Sequence, residues 1–190
     1  MFVIDDFFDD DELKYADSKE LWFPRGRKNF QALYLNDADT KKENFIINIL
    51  SKIPIDTTEC SFVEYWCLVK STEVSSLIWH VDINDTDWKV YDNLEPFYHL
   101  ILYPKDSPVV GGNFHYSEIG DWDNKDKDLM LNTKIERIDC RIDDFNIRNS
   151  GIITYKRNRI IGIELSVLHA IGLIEKGFRY SFMLTLFKER

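Results

Sequence analysis

The sequence predicts a single mainly β domain of sandwich or jelly-roll type, with helices at its N-terminal end packed on one face, an α+β composition overall. Three observations carry this expectation. From Ser61 onward, short apolar or alternating runs rich in Val, Ile, Tyr, Phe and Trp are separated by clusters of Gly, Pro, Asn and Asp. Before that point the apolar residues recur at helical spacing. The chain has 190 residues, 44% of them hydrophobic and 14% aromatic, which suits one core and is short for two.

Taken in order, the stretch from Phe2 to Phe8 reads as a short strand, and Asp9, Asp10 and Asp11 then offer N-caps to a helix carrying Leu13, Ala16 and Leu21. A second helix is expected from near Asp37 or Asp39 to about Lys52. Phe45, Ile46, Ile49 and Leu50 repeat at helical spacing there, and Pro54 cannot continue the pattern. Strands are predicted at 62–69, 76–81, 97–103, 112–117, 130–139, 151–155, 166–171 and 178–187, many short strands being the mark of a sandwich or jelly roll. The domain thus divides into helical support over about residues 1–57 and a β core over 58–190. Gly111 and Gly112 read as a turn or bulge and not as a phosphate cradle, because a strand and not a helix follows them. Residues 120–128 read as a polar, hairpin-like loop.

Charge and cysteines narrow the class of function. A formal charge of -9 repels phosphate backbones and anionic membranes, and no long basic run offsets it, so neither nucleic acid nor a membrane is expected as partner. Cys60, Cys67 and Cys140 are odd in number and form no CxxC pair, which argues against both a disulfide framework and a thiolate zinc site. The opening Met1, Phe2, Val3, Ile4 runs straight into Asp5 and Asp6, unlike a secretory leader, and a cytoplasmic location is expected. Nothing in the sequence fixes an oligomeric state.

The residues with chemistry fall into two groups. In Trp79, His80, Val81, Asp82, the histidine and aspartate stand two apart. On a strand they point to the same side and can offer an imidazole nitrogen and a carboxylate oxygen to one ion. Alone, such a pair is more often a plain hydrogen bond. His169 adds a second imidazole from a late strand, and two histidines with one carboxylate on one face of an iron leave positions open for a chelating ligand and for oxygen. Ten residues after His169 comes Arg179, and two further on Ser181, placed to clamp a remote carboxylate through a guanidinium fork and a hydroxyl. The ligand so described is a dicarboxylate keto acid. His99 and His115 sit inside aromatic or β-branched runs and are expected as hydrogen-bonded core or rim residues, His115 with the option of lining the pocket.

In this order and spacing the residues resemble the iron and 2-oxoglutarate-dependent dioxygenase superfamily, particularly its prolyl-hydroxylase-like branch. The resemblance covers nearly the whole chain: Phe2 to Phe8 with the acidic helix after it, Tyr98 to Tyr103 followed by Gly111, Gly112, Asn113 and Phe114, then Gly151 to Tyr155, Leu168 with His169, and Gly177, Phe178, Arg179, Tyr180, Ser181. It implies a double-stranded β-helix, a cupin-like jelly roll, holding Fe(II) through His80, Asp82 and His169. It implies 2-oxoglutarate as cosubstrate with its remote carboxylate on Arg179 and Ser181, and O2 as co-reactant. The outcome implied is oxidation, most simply hydroxylation, of a small molecule or a peptide side chain, with release of succinate and CO2. The presence of Asp82 favours hydroxylation or desaturation over halogenation, for which the family leaves that ligand position vacant.

The family commonly adds a tyrosine to the cosubstrate site, and Tyr65, Tyr98 and Tyr103 are all candidates, with Tyr98 preferred. Prolyl hydroxylases commonly carry Lys where this chain has Arg179, so no prolyl substrate is implied. The alternative reading is a jelly-roll protein that retains a metal and only binds a ligand.

Overall fold

Two short helices are set by their caps. In the computed structural model, which describes residues 1–22, 31–35, 40–72, 93–117, 150–165 and 167–190, helix α1 spans Asp10–Ala16 and helix α2 spans Lys41–Lys52. Asp9 accepts from the Glu12 amide while Glu12 reaches back to the Asp9 amide, and Thr40 and Glu43 do the same for α2. These reciprocal bonds satisfy amides that have no partner inside the helix. The cap of α2 is Thr40 and not an aspartate. Its last turn ends at Ile53, whose backbone is extended ahead of Pro54.

Eleven strands lie within the described residues: β1 (Phe2–Ile4), β2 (Gln31–Tyr34), β3 (Cys60–Ser71), β4 (Leu94–Leu102), β5 (Val110–Gly111), β6 (Phe114–Ser117), β7 (Ser150–Ile153), β8 (Ile160–Glu164), β9 (Leu168–Ile171), β10 (Ile174–Lys176) and β11 (Phe178–Glu189). Six form one sheet in the order β1-β8-β4-β11-β3-β2, and three form a second in the order β7-β6-β9, every pairing antiparallel. β5 and β10 make a separate two-stranded ribbon. The protein is mainly β with two helices, a layout compatible with a jelly roll. Two of the expected strands, 76–81 and 130–139, and the loop 120–128 lie outside the described residues. Strands β2, β5, β8 and β10 are additions to the expectation, while β1 supplies the opening strand.

β11 organises the molecule because both of its edges are paired, with β3 on one side and β4 on the other. Its even residues Phe182, Leu184 and Leu186 join Leu100, Leu102, Val63 and Tyr65 in a core against Phe45, Ile46, Ile49 and Leu50 of α2. Its odd residue Met183 joins Ile101, Ile161 and Ile163 in a second core against Phe114 of β6, with Ile153 and Ile171 packed on it. The large sheet is therefore sandwiched, helices outside and small sheet inside, the period-two alternation of a strand deciding which side chain goes where. Each fully buried Leu or Ile contributes about 1.5–3 kcal/mol of apolar transfer. The odd positions that carry polar groups into this second interior are thus conspicuous.

Candidate active site between the two sheets

The inner face of β11 places three polar residues where apolar ones would be expected. Arg179 is 1% exposed and Ser181 0% exposed, both on the side of the strand that faces the small sheet. Burying a guanidinium is costly unless it is paired and hydrogen-bonded. Among the described residues one of its nitrogens has a partner: Arg179 Nη2 donates to the Tyr103 hydroxyl at 2.6 Å, with the guanidinium carbon 4.8 Å from the Tyr103 ring centre. Arg179 Nε and Nη1 and Ser181 Oγ have no hydrogen-bond partner among the described residues. Thr185, the third buried polar residue, lies 3.1 Å from His99 Nδ1 through its hydroxyl.

The stem of Arg179 passes over Gly112, which has a φ of +67° and where a Cβ would lie 3.3 Å from Arg179 Cδ. Gly111 is also in the left-handed region, and the Gly112 amide donates to the Leu173 carbonyl at 2.7 Å. The double glycine therefore makes a turn that a side chain would obstruct, and its second member gives the arginine room.

His169 reaches the same interior from β9. Strand partners share a face, so the pairing of Tyr116 with His169 and of Phe114 with Ile171 puts these four together, and Phe114 belongs to the cluster that contains Tyr103 and Met183. The His169 ring is buried and stacks on Phe114 at 5.3 Å. Its Nδ1 lies 2.9 Å from the Val167 carbonyl. A carbonyl only accepts, so this contact puts the proton on Nδ1 and the lone pair of the neutral ring on Nε2, the tautomer a metal takes. His115, paired with Ala170, points to the other face of the small sheet, where burial holds its pKa below the ordinary value of 6.5.

Of the expected site residues, the fold brings Arg179, Ser181 and His169 to one interior. His80 and Asp82 lie outside the described residues, and among those described no three His, Cys, Asp or Glu side chains gather at one point. Tyr98 needs correction. It pairs with Leu186 on the helix-facing side of the large sheet, stacks on Phe2 with ring centres 6.0 Å apart, and is separated from Arg179 by the sheet itself. Tyr65 is on that side too, its hydroxyl donating to Gln31. The tyrosine beside Arg179 is Tyr103. Its hydroxyl accepts from the guanidinium, so its own proton remains to be donated. The signal that separates the candidates is parity, since Tyr103 stands five residues from Tyr98 and hence on the opposite face.

A buried cation with two unused donors, a buried hydroxyl and a phenol proton form a cradle for a carboxylate. The fold that holds it is similar to those of several solved oxygenase structures. It is similar to a Pseudomonas putida prolyl-4-hydroxylase, at 10% identity over 100% of this chain and 86% of that one, with a TM-score of 0.52. It is also similar to an oxidoreductase of the 2OG-Fe(II) oxygenase family from Burkholderia pseudomallei (11% identity, 99% and 84% of the two chains, TM-score 0.55). A third structure is that of HygX from Streptomyces hygroscopicus (9% identity, 99% and 81%, TM-score 0.56), a protein seen with iron bound and with nickel and 2-oxoglutarate bound. No family model matches the sequence, and no curated protein does. The likeness is therefore one of fold.

Proposed function

We propose that this protein is an Fe(II)- and 2-oxoglutarate-dependent dioxygenase, built as a double-stranded β-helix, that hydroxylates a small molecule or a peptide side chain. The observation that carries the reading is the buried Arg179, with two nitrogens that have no partner among the described residues, and on the same face of β11 the hydroxyl of Ser181, which has none there either. An arrangement this costly is stable in a folded protein when an anion completes it. A carboxylate fits, since the guanidinium fork matches its two oxygens and Ser181 and Tyr103 supply further donors. The metal would be held by His169, in the tautomer its Val167 contact selects, together with His80 and Asp82 on the sequence argument. When bound, iron with 2-oxoglutarate and O2 supplies an oxidant able to take hydrogen from an unactivated carbon, with succinate and CO2 as co-products.

The chain's own work is to hold. Arg179, Ser181 and Tyr103 fix one end of the cosubstrate, His169 is steadied by Phe114 and Val167, and Ile101, Ile161 and Met183 pack with Tyr103 and Phe114 in the same buried cluster. No helix among the described residues is long and apolar enough to cross a membrane.

The test is anaerobic titration of metal-free protein with Fe(II) and 2-oxoglutarate, watching for the weak visible charge-transfer band of the chelate, with His80→Ala and Arg179→Ala as controls. A band that both controls weaken supports the reading, and succinate release then screens substrates. No band and no mutual stabilisation leaves the ligand-binding jelly roll in its place.

A further inference from the structure

We propose that Tyr155, acting through Tyr103, sets the length of dicarboxylate that the interior accepts. The proposal rests on the reading above, that Arg179 and its neighbours hold the remote carboxylate of a keto acid. Tyr103 is fully buried and touches two planar groups: the Arg179 guanidinium, its carbon 4.8 Å from the centre of the phenol ring, and the Tyr155 ring, centre to centre 4.8 Å and inclined by 44°. The Tyr103 hydroxyl is useful to a carboxylate only while the ring stays where its oxygen accepts from Arg179 and its proton points inward. Tyr155 is the side chain that denies the ring the alternative.

Tyr155 is itself held at two points that belong to different segments. Its backbone amide donates to Asn113 Oδ1 at 3.2 Å, immediately after the glycine turn that gives the Arg179 stem its room. Its hydroxyl donates to the Lys105 carbonyl at 3.3 Å, just past the end of β4. Lys105 in turn is tied to Asp17 at the end of α1, by an ion pair to the carboxylate and by donation to the backbone carbonyl, both at 3.1 Å. Burial pushes the Tyr155 phenol up to about 12, against the opposing pull of the Arg179 charge and of the Tyr180 backbone. It therefore stays neutral. On the reading above the remote carboxylate ends on Arg179 and Tyr103, so the position in which Tyr155 holds the Tyr103 ring fixes how far a chain bound to the metal can extend. Tyr155 is a positioning residue: its effect passes through Tyr103 to the ligand.

The experiment compares the wild-type protein with Tyr155→Leu, which keeps apolar bulk but loses the ring, and with Tyr155→Phe, which keeps the ring. Each is loaded anaerobically with Fe(II) and titrated with 2-oxoglutarate and with 2-oxoadipate, one methylene longer, and the melting temperature of each metal-free protein is recorded. In the wild type, 2-oxoglutarate binds more tightly than 2-oxoadipate. Tyr155→Leu lowers that preference at least fivefold, and Tyr155→Phe leaves it within twofold. A residue that only stabilises the fold would lower the melting temperature and both affinities together, so an unchanged preference in Tyr155→Leu overturns the proposal. An equal fall in Tyr155→Phe overturns it as well, since the ring would then not be the cause. If Tyr155→Leu does not fold, Tyr155→Met fills the space with a flexible side chain and is judged by the same ratio. A wild-type protein that binds neither acid sinks the oxygenase reading itself, an outcome distinct from an unchanged preference.

Discussion

Arg179 and Ser181 carry different loads, and their replacement separates them. Hydrogen bonds to a charged partner are worth about 1.5–3 kcal/mol, so Arg179→Ala is expected to weaken 2-oxoglutarate binding roughly 10- to 150-fold. Ser181→Ala removes one hydroxyl donor, worth about 1 kcal/mol or roughly fivefold in affinity. The same serine has no partner among the described residues, so its loss costs the empty protein nothing, and the melting temperature of Ser181→Ala without ligand should equal or exceed that of the wild type. A drop of several degrees would mean that Oγ already has a structural bond.

At this scale the sequence was legible for the pair on β11, where a two-residue spacing carried the meaning. Arg179 and Ser181 share a face because they stand two apart in one strand. It was not legible for the tyrosine. Tyr98 and Tyr103 lie on or beside one strand with opposite parity, and which parity faces Arg179 is decided by the register of β4 against β11, a long-range fact that no local pattern contains.

Among the described elements, α1 was readable from its acidic cap, α2 from its apolar repeat though not from its cap, and several strands from β-branched and aromatic runs. β8 escaped because its run Ile160, Ile161, Gly162, Ile163 follows Arg157, Asn158 and Arg159 and is broken by glycine. The structure supplies the reason for that glycine: the ring of Phe2 on β1 lies where a Cβ would be. β1 is held to the region before β8 by Asp5, whose carboxylate accepts from Arg159 Nε at 2.5 Å and Nη2 at 2.9 Å. The hydrogen bonds from Arg159 and Lys156 lower the Asp5 pKa from 3.8 to about 2. A depressed carboxylate pKa gives stability that is present above pH 3.8 and lost as pH falls through about 2. The pair is partly exposed, so the contribution is at most about 1 kcal/mol. Urea unfolding of Asp5→Asn against wild type should show a gap near neutral pH that closes toward pH 2, and a gap of constant size across that range would refute the assignment. For α2, Thr40→Ala removes the acceptor for the Glu43 amide and should cost about 1 kcal/mol, read as a lower urea midpoint with unchanged slope.

The whole molecule divides its two cores by use. The core under the helices is apolar and closed, whereas the core between the sheets contains Arg179, Ser181 and His169, each buried to within a few per cent. Polar groups retained in an interior at the expense of stability belong to function in the usual case, and here they converge from β9 and β11, strands of different sheets. Ligand binding should therefore tie the sheets together, and stability should report it. A ligand present at a hundred times its dissociation constant stabilises the folded state by about 2.7 kcal/mol, which for a chain of this size raises the melting temperature by about 5 to 10 °C. With the protein first stripped by a chelator and kept anaerobic, Fe(II) and 2-oxoglutarate together should give a larger rise than the sum of the two alone, because the keto acid gains the metal as well as Arg179. Arg179→Ala should keep the rise with Fe(II) and lose most of the increment from 2-oxoglutarate. His169→Ala should lose the rise with Fe(II) and with it the cooperativity. Strictly additive shifts would mean that the metal and the carboxylate cradle serve separate ligands, and the two-sheet interior would then have to be read as two sites.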